Sequence, residues 1–121
     1  MLKIIPNEKG IVIHLEGIKE ILSLKGEIKI PWKSIKRISS SKPKWLIFTP
    51  RIGTNLPGVL MAGTFYRVKG KSFYFVRHLD RCITFTLEDH QFAEIVIEVK
   101  DKEKQIERLR NLKKKYNKRI N

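Results

Sequence analysis

Up to Val99 the apolar residues come in short alternating runs punctuated by glycine and proline, and from Asp101 the period changes. Ile11-Val12-Ile13-His14-Leu15 is β-branched and alternates around His14, the pattern of a half-buried strand. Leu2 to Ile5, Ile28 with Ile30, Trp45 to Thr49, Val59 to Val68, Phe73 to Leu79, Cys82 to Leu87 and Phe92 to Val99 read as further strands. Between them lie turn formers: Pro6-Asn7-Glu8-Lys9-Gly10, Ser39 to Pro43, Gly53 to Gly58, and Lys69-Gly70-Lys71, where proline fixes φ and glycine admits positive φ. Gly63 inside its run marks a bulge or a close backbone approach. Phe73 to Leu79 and Cys82 to Leu87 are expected to pair as a hairpin through Asp80-Arg81. In Phe92 to Val99, Ala93, Ile95, Ile97 and Val99 share one face, and Glu94 and Glu98 the other, which predicts a sheet wet on its outer face.

Two segments follow the helical period. Ile18, Ile21 and Leu22 fall at i, i+3 and i+4 before Gly26, so a short helix is predicted near 17–25. Ile106, Leu109, Leu112, Tyr116 and Ile120 form a stripe about 120° wide on a helical wheel. Asp101 suits the start of that helix and the late Lys and Arg residues its C-terminal pole, which predicts a helix over about 101–118. The expected fold is mainly β, with a C-terminal α-helix over an open end or face of a bent sheet. It occupies a single domain, 1–121.

Composition narrows the function. One cysteine excludes an intrachain disulfide scaffold. No apolar run approaches the roughly 18–20 residues needed to cross a bilayer, and the N-terminal run is too short for a secretory signal. A place inside the cell is therefore expected, cytoplasmic or peripheral at the membrane. The net charge is +14 and it is segregated: residues 33–81 contribute +10 and residues 101–121 contribute +6. A segregated field attracts polyanions, whereas an interspersed one mainly keeps a protein soluble.

Four pieces of the chain bear on its family. They are the early helical segment followed by Ile28-Lys29-Ile30-Pro31-Trp32-Lys33-Ser34-Ile35; Arg51-Ile52-Gly53-Thr54-Asn55-Leu56-Pro57-Gly58 with Ala62-Gly63-Thr64; the run Phe73-Tyr74-Phe75; and Phe92 to Val99 leading into an Asp101-led helix. In this order they resemble the bacterial and archaeal pleckstrin-homology-like domains of uncharacterised function. The resemblance implies a bent sandwich or barrel of about seven antiparallel strands capped by a C-terminal helix. It also implies a non-catalytic binding module.

The binding candidates are basic. Lys33, Lys36, Arg37, Lys42, Lys44, Arg51, Arg67, Lys69, Lys71, Arg77 and Arg81 come from neighbouring strands and loops, and Lys113, Lys114 and Lys115 from the last helix. Together they suit an acidic protein or anionic lipid surface, or a nucleic-acid backbone. The bland explanation is a lysine-rich surface serving solubility, heat tolerance or protection of sheet edges. Tyr74, on the face opposite Phe73 and Phe75, is a candidate to stack on bases. The alternative to an acidic protein or membrane partner is accordingly nucleic acid, and self-association through unpaired sheet edges is a third class. His78, Asp80 and Cys82 alternate, but a turn at Asp80-Arg81 would split them, and strand residues two apart lie about 6.5–7 Å from each other. That is too far for direct nucleophile–base contact. The Gly53 to Gly58 turn lacks the Gly-Lys-Ser/Thr ending of a nucleotide loop. No catalytic residue, metal or cofactor is assigned, and an enzyme is not expected.

Overall fold

Alternating isoleucines build the first sheet. The computed structural model describes residues 2–15, 27–40, 61–68 and 70–120. Strands β1 (Leu2–Pro6), β2 (Gly10–Leu15) and β3 (Glu27–Pro31) form an antiparallel sheet in that order. Ile4, Ile13 and Ile28 lie in one cross-strand row. Ile11, Ile13, Ile28 and Ile30 are buried in the core, while Lys3, Glu27 and Lys29 are exposed. A 3-10 turn, η1 (Trp32–Ser34), then carries the chain around a corner into β4 (Ile35–Ser39). Trp32 is fully buried at that corner, its indole Nε1 donating to the Asn7 carbonyl at 2.8 Å. An indole N–H without a partner there would be costly to bury.

The second sheet holds β4, β5 (Met61–Arg67), β6 (Gly70–Val76), β7 (Cys82–Leu87) and β8 (Phe92–Glu98), in the order β4-β7-β8-β6-β5. The chain therefore contains eight described strands in two sheets, and these do not close into a barrel. The expected hairpin between Phe73–Leu79 and Cys82–Leu87 does not form. β8 inserts between them, pairing antiparallel with β7 and parallel with β6. This parallel pair departs from the expected all-antiparallel arrangement. The physical reason lies in β8 itself: Phe92, Ile95, Val96 and Ile97 are all buried, and a run apolar on both faces belongs in the middle of a sheet. For the same reason the outer face is not wet. Thr84, Val96 and Ser72 are buried there too, and Glu94 is half-buried beside Ser72, whose hydroxyl lies 3.4 Å from Glu94 Oε1. A register shift at Lys71/Ser72 also sends Phe92, rather than Ala93, to the core with Ile95 and Ile97.

Asp80-Arg81 is consequently part of a crossover and not a hairpin turn. The 3-10 turn η2 (Leu79–Arg81) passes over the end of β8. Glu98, the last residue of β8, holds it there, accepting the backbone N–H groups of Arg77 at 2.6 Å and His78 at 2.5 Å. Helix α1 (Lys102–Ile120) follows close to the predicted bounds. It seats Ile106 and Leu109 in the core with Leu112 and Tyr116 packed beside them, and Tyr116 stacks on Trp32 with ring centroids 5.9 Å apart. The predicted helix near 17–25, the Trp45–Thr49 strand and the Gly53–Gly58 turn lie outside the described residues.

Candidate functional site: a basic groove between β4 and the C-terminal helix

Two consecutive cations on a strand normally point to opposite faces. On β4 they do not. The register with β7 slips between Ile35 and Arg37, so Lys36 is the extra residue of a bulge. The bulge lets Ile35 and Ile38, three apart, both face the core, and leaves Lys36 and Arg37 both exposed. Bulges are a common device on edge strands because they also spoil further pairing.

Helix α1 lies along this edge. Arg110 sits one residue beyond the buried Leu109 and reaches the backbone of β4, donating to the Ile38 carbonyl from Nη2 at 2.6 Å and Nε at 3.2 Å. A guanidinium has five N–H donors, so others remain for a ligand. Between strand and helix runs an open groove of about 540 Å³, whose basic lining is Lys36, Arg37, Arg110, Lys113 and Lys114. Glu107 and Glu103, about one and two turns before Arg110 on the helix, also line it. The cations outnumber the carboxylates, and two of them, Lys113 and Lys114, come from the C-terminal half of α1. A helix C-terminus tolerates cations because its carbonyl dipoles are negative there. Lys115 lies outside the groove, its Nζ 5.5 Å from the centroid of the Tyr116 ring, and Lys33 is exposed on η1.

The remaining sequence candidates go elsewhere. Lys71, the second residue of β6, lays its ammonium 5.8 Å from the centroid of the Phe92 ring. Arg77 and Arg81 are exposed at the opposite end of that strand, on the crossover. Lys42, Lys44, Arg51 and Lys69 lie outside the described residues; Arg67 ends β5, paired with Gly70. The basic candidates that the structure describes are thus divided among the groove, η1, the crossover, the start of β6 and, for Lys115, the part of the helix outside the groove. Tyr74 is half-buried, its hydroxyl 3.2 Å from where a Cβ on Gly63 would stand. Gly63 is therefore the close approach that the sequence marks, with the Tyr74 ring lying across it.

His78, Asp80 and Cys82 do not converge. The His78 ring Nδ1 faces Glu98 Oε2 at 3.2 Å, the buried Cys82 thiol lies 3.5 Å from the His78 carbonyl, and Asp80 is exposed. Burial pushes the Glu98 carboxyl up, but the N–H groups of His78 and Arg77 and then the His78 ring outweigh it, so it sits below the usual glutamate range. This carboxylate pins a crossover. Among the described residues no three His, Cys, Asp or Glu side chains come together as a metal site, and no described helix is long and apolar enough to cross a membrane.

Sequence reasoning missed Arg110, Tyr66 and Val68. Arg110 follows Leu109 directly, so a helical wheel placing it beside the buried stripe was an available signal. Tyr66 and Val68 read as strand residues, yet they are exposed.

No family model matches the chain, and no curated protein or solved structure matches it either.

Proposed function

We propose that this protein is a non-catalytic binding module whose groove between β4 and α1 receives an acidic partner. One observation carries the reading: the Lys36 bulge and the Arg110–Ile38 clasp set Lys36, Arg37, Arg110, Lys113 and Lys114 around one concavity. Cations gathered around one concavity repel one another until an anion enters. A groove admits a protruding acidic segment of a protein more readily than it admits a flat bilayer. The mainly β frame capped by a C-terminal helix supports a pleckstrin-homology-like reading, from which the parallel β6–β8 pair is a departure.

The test uses a fluorescent polyglutamate peptide, duplex DNA and single-stranded DNA as probes in anisotropy titrations across a salt series. Polyglutamate should bind, and Lys113→Glu with Lys114→Glu should weaken it by about tenfold or more, since two contacts change from attraction to repulsion. Unchanged affinity in that variant would remove the groove from the function. Tighter binding to DNA, with log affinity falling linearly in log salt, would move the partner to nucleic acid.

A further inference from the structure

Hairpin tips are usually made of residues that tolerate tight turns and water: Gly, Asn, Asp, Ser. The tip between β5 and β6 breaks this rule. Arg67 pairs with Gly70, so the loop is two residues long, and its first residue is Val68. Val68 has a fractional exposure of 107%, so no described residue covers it. Tyr66, two residues earlier, is 76% exposed. These two and Ile5 are the large hydrophobic side chains left exposed among the described residues. Turn geometry does not ask for valine here; Gly70, at φ 131°, already supplies the unusual backbone angle. A residue that violates local turn chemistry without any packing return marks a place kept for function.

The surroundings indicate what meets the tip. The chain sequence is Tyr66-Arg67-Val68-Lys69-Gly70-Lys71, so the apolar residues alternate with cations. Tyr66 and Lys71 are direct cross-strand partners and so share a face. A tip this narrow cannot supply the roughly 800 Å² per partner that a stable protein interface needs. A bilayer makes no such demand. It accepts a single apolar protrusion, favours tyrosine at the headgroup level, and attracts the cations when its lipids are acidic. Glu88 and Asp89, exposed in the turn before β8, offset part of the local charge, while the chain's net +14 adds attraction at longer range.

We infer that the β5–β6 hairpin tip is a membrane-contacting element, in which Val68 and Tyr66 enter the headgroup region of an anionic bilayer and Lys71, the cross-strand partner of Tyr66, stands beside its acidic lipids. This goes beyond the groove reading and does not rest on it. β5 and β4 are the two opposite edges of the five-stranded sheet, about 19 Å apart at the usual strand spacing. One edge would face lipid while the other holds an acidic partner.

The test is vesicle co-sedimentation with phosphatidylcholine alone and with equal parts phosphatidylcholine and phosphatidylserine. The protein should partition onto the acidic vesicles, and Tyr66→Ser with Val68→Asp should lower that partitioning by about tenfold or more. Both side chains are exposed, so the thermal midpoint should hold. Val68→Trp should bind more tightly and shift its tryptophan emission to the blue on acidic vesicles. Lys113→Glu with Lys114→Glu should keep that blue shift while losing polyglutamate. Absence of wild-type partitioning, tip variants that partition like wild type, or a Val68→Trp emission that vesicles leave unmoved would each overturn the inference and leave the groove reading standing.

Discussion

Arg110 holds the carbonyl of Ile38 with two N–H groups, the nearer at 2.6 Å, and so ties the last helix to β4, an edge strand that ended many residues before it. The contact both closes the edge and fixes one wall of the groove.

Arg110→Lys separates those roles. Lysine keeps the charge but loses the planar fork that makes two bonds to one acceptor. Stability should fall by about 1 kcal/mol, read as a shift of the urea midpoint. Polyglutamate affinity should fall only a few-fold, since the charge count is unchanged. Arg110→Ala should cost similar stability, weaken the peptide further, and raise light scattering at high concentration, because the uncovered β4 edge can then recruit strands. A urea midpoint unmoved in both variants would show that the clasp contributes nothing to folding.

Glu98 makes stability depend on acid. Its carboxyl is depressed in the folded state because the N–H groups of His78 and Arg77 and the His78 ring outweigh its burial. The carboxylate's contribution is therefore fully present above the ordinary glutamate value of about 4.3 and is lost as pH falls through the lower folded-state value. Glu98→Gln should be less stable than wild type by about 1–2 kcal/mol at neutral pH. The gap should narrow only as pH falls past the ordinary glutamate value and through the lower folded-state value, where the wild-type carboxylate protonates. Urea melts at neutral and acidic pH check this, and a gap that stays constant would assign the loss to packing.

How much of this was legible in the sequence follows from which forces act locally. Isoleucine alternation marked β2 and β3, and the period change at Asp101 marked the helix, because burial periodicity is written in adjacent residues. The place of β8 was misread, since a strand pairs with whatever lies beside it in space and Glu94 and Glu98 looked solvated. Their partners, Ser72, His78 and Arg77, lie about twenty residues away in the chain. Half of the groove was visible: Lys36, Arg37, Lys113 and Lys114 were evident as cations, but their meeting depends on the bulge at Lys36 and on Arg110, which only the register reveals. The exposed tip at Val68 was hidden by its own β-branched character, which argues for a buried strand.

Tyr116 closes the corner occupied by Trp32. The rings stack with centroids 5.9 Å apart and planes inclined by 21°. Such a pair is worth about 0.5–1.5 kcal/mol beyond its buried area. Tyr116→Ala should therefore lower stability by about 2–3 kcal/mol once the lost apolar surface is added. Urea melts supply the number, with tryptophan emission as a second reading: water reaching Trp32 should shift it to the red. Destabilisation without a change in emission would mean that the helix end stays in place and the loss is local to the tyrosine.

Gly10 tests the same corner from the first sheet. It pairs with Pro31 across β2 and β3, and a Cβ there would lie 2.7 Å from the Pro31 Cα and against the Ile30 carbonyl. Both are backbone atoms, so no side-chain rotation can make room, and the two strands must separate. Pro31 leads directly into Trp32, whose N–H donates to the Lys9 carbonyl at 3.2 Å and whose indole donates to Asn7. Moving Pro31 therefore strains both bonds. Gly10→Ala, among the mildest substitutions elsewhere, should cost about 2–3 kcal/mol here, with Gly10→Val worse. The amide protons of Trp32 and Gly10 should lose hydrogen-exchange protection before those of β7 and β8, which lie in the other sheet. A fully stable Gly10→Ala protein would contradict the close approach of β2 to β3 at this point.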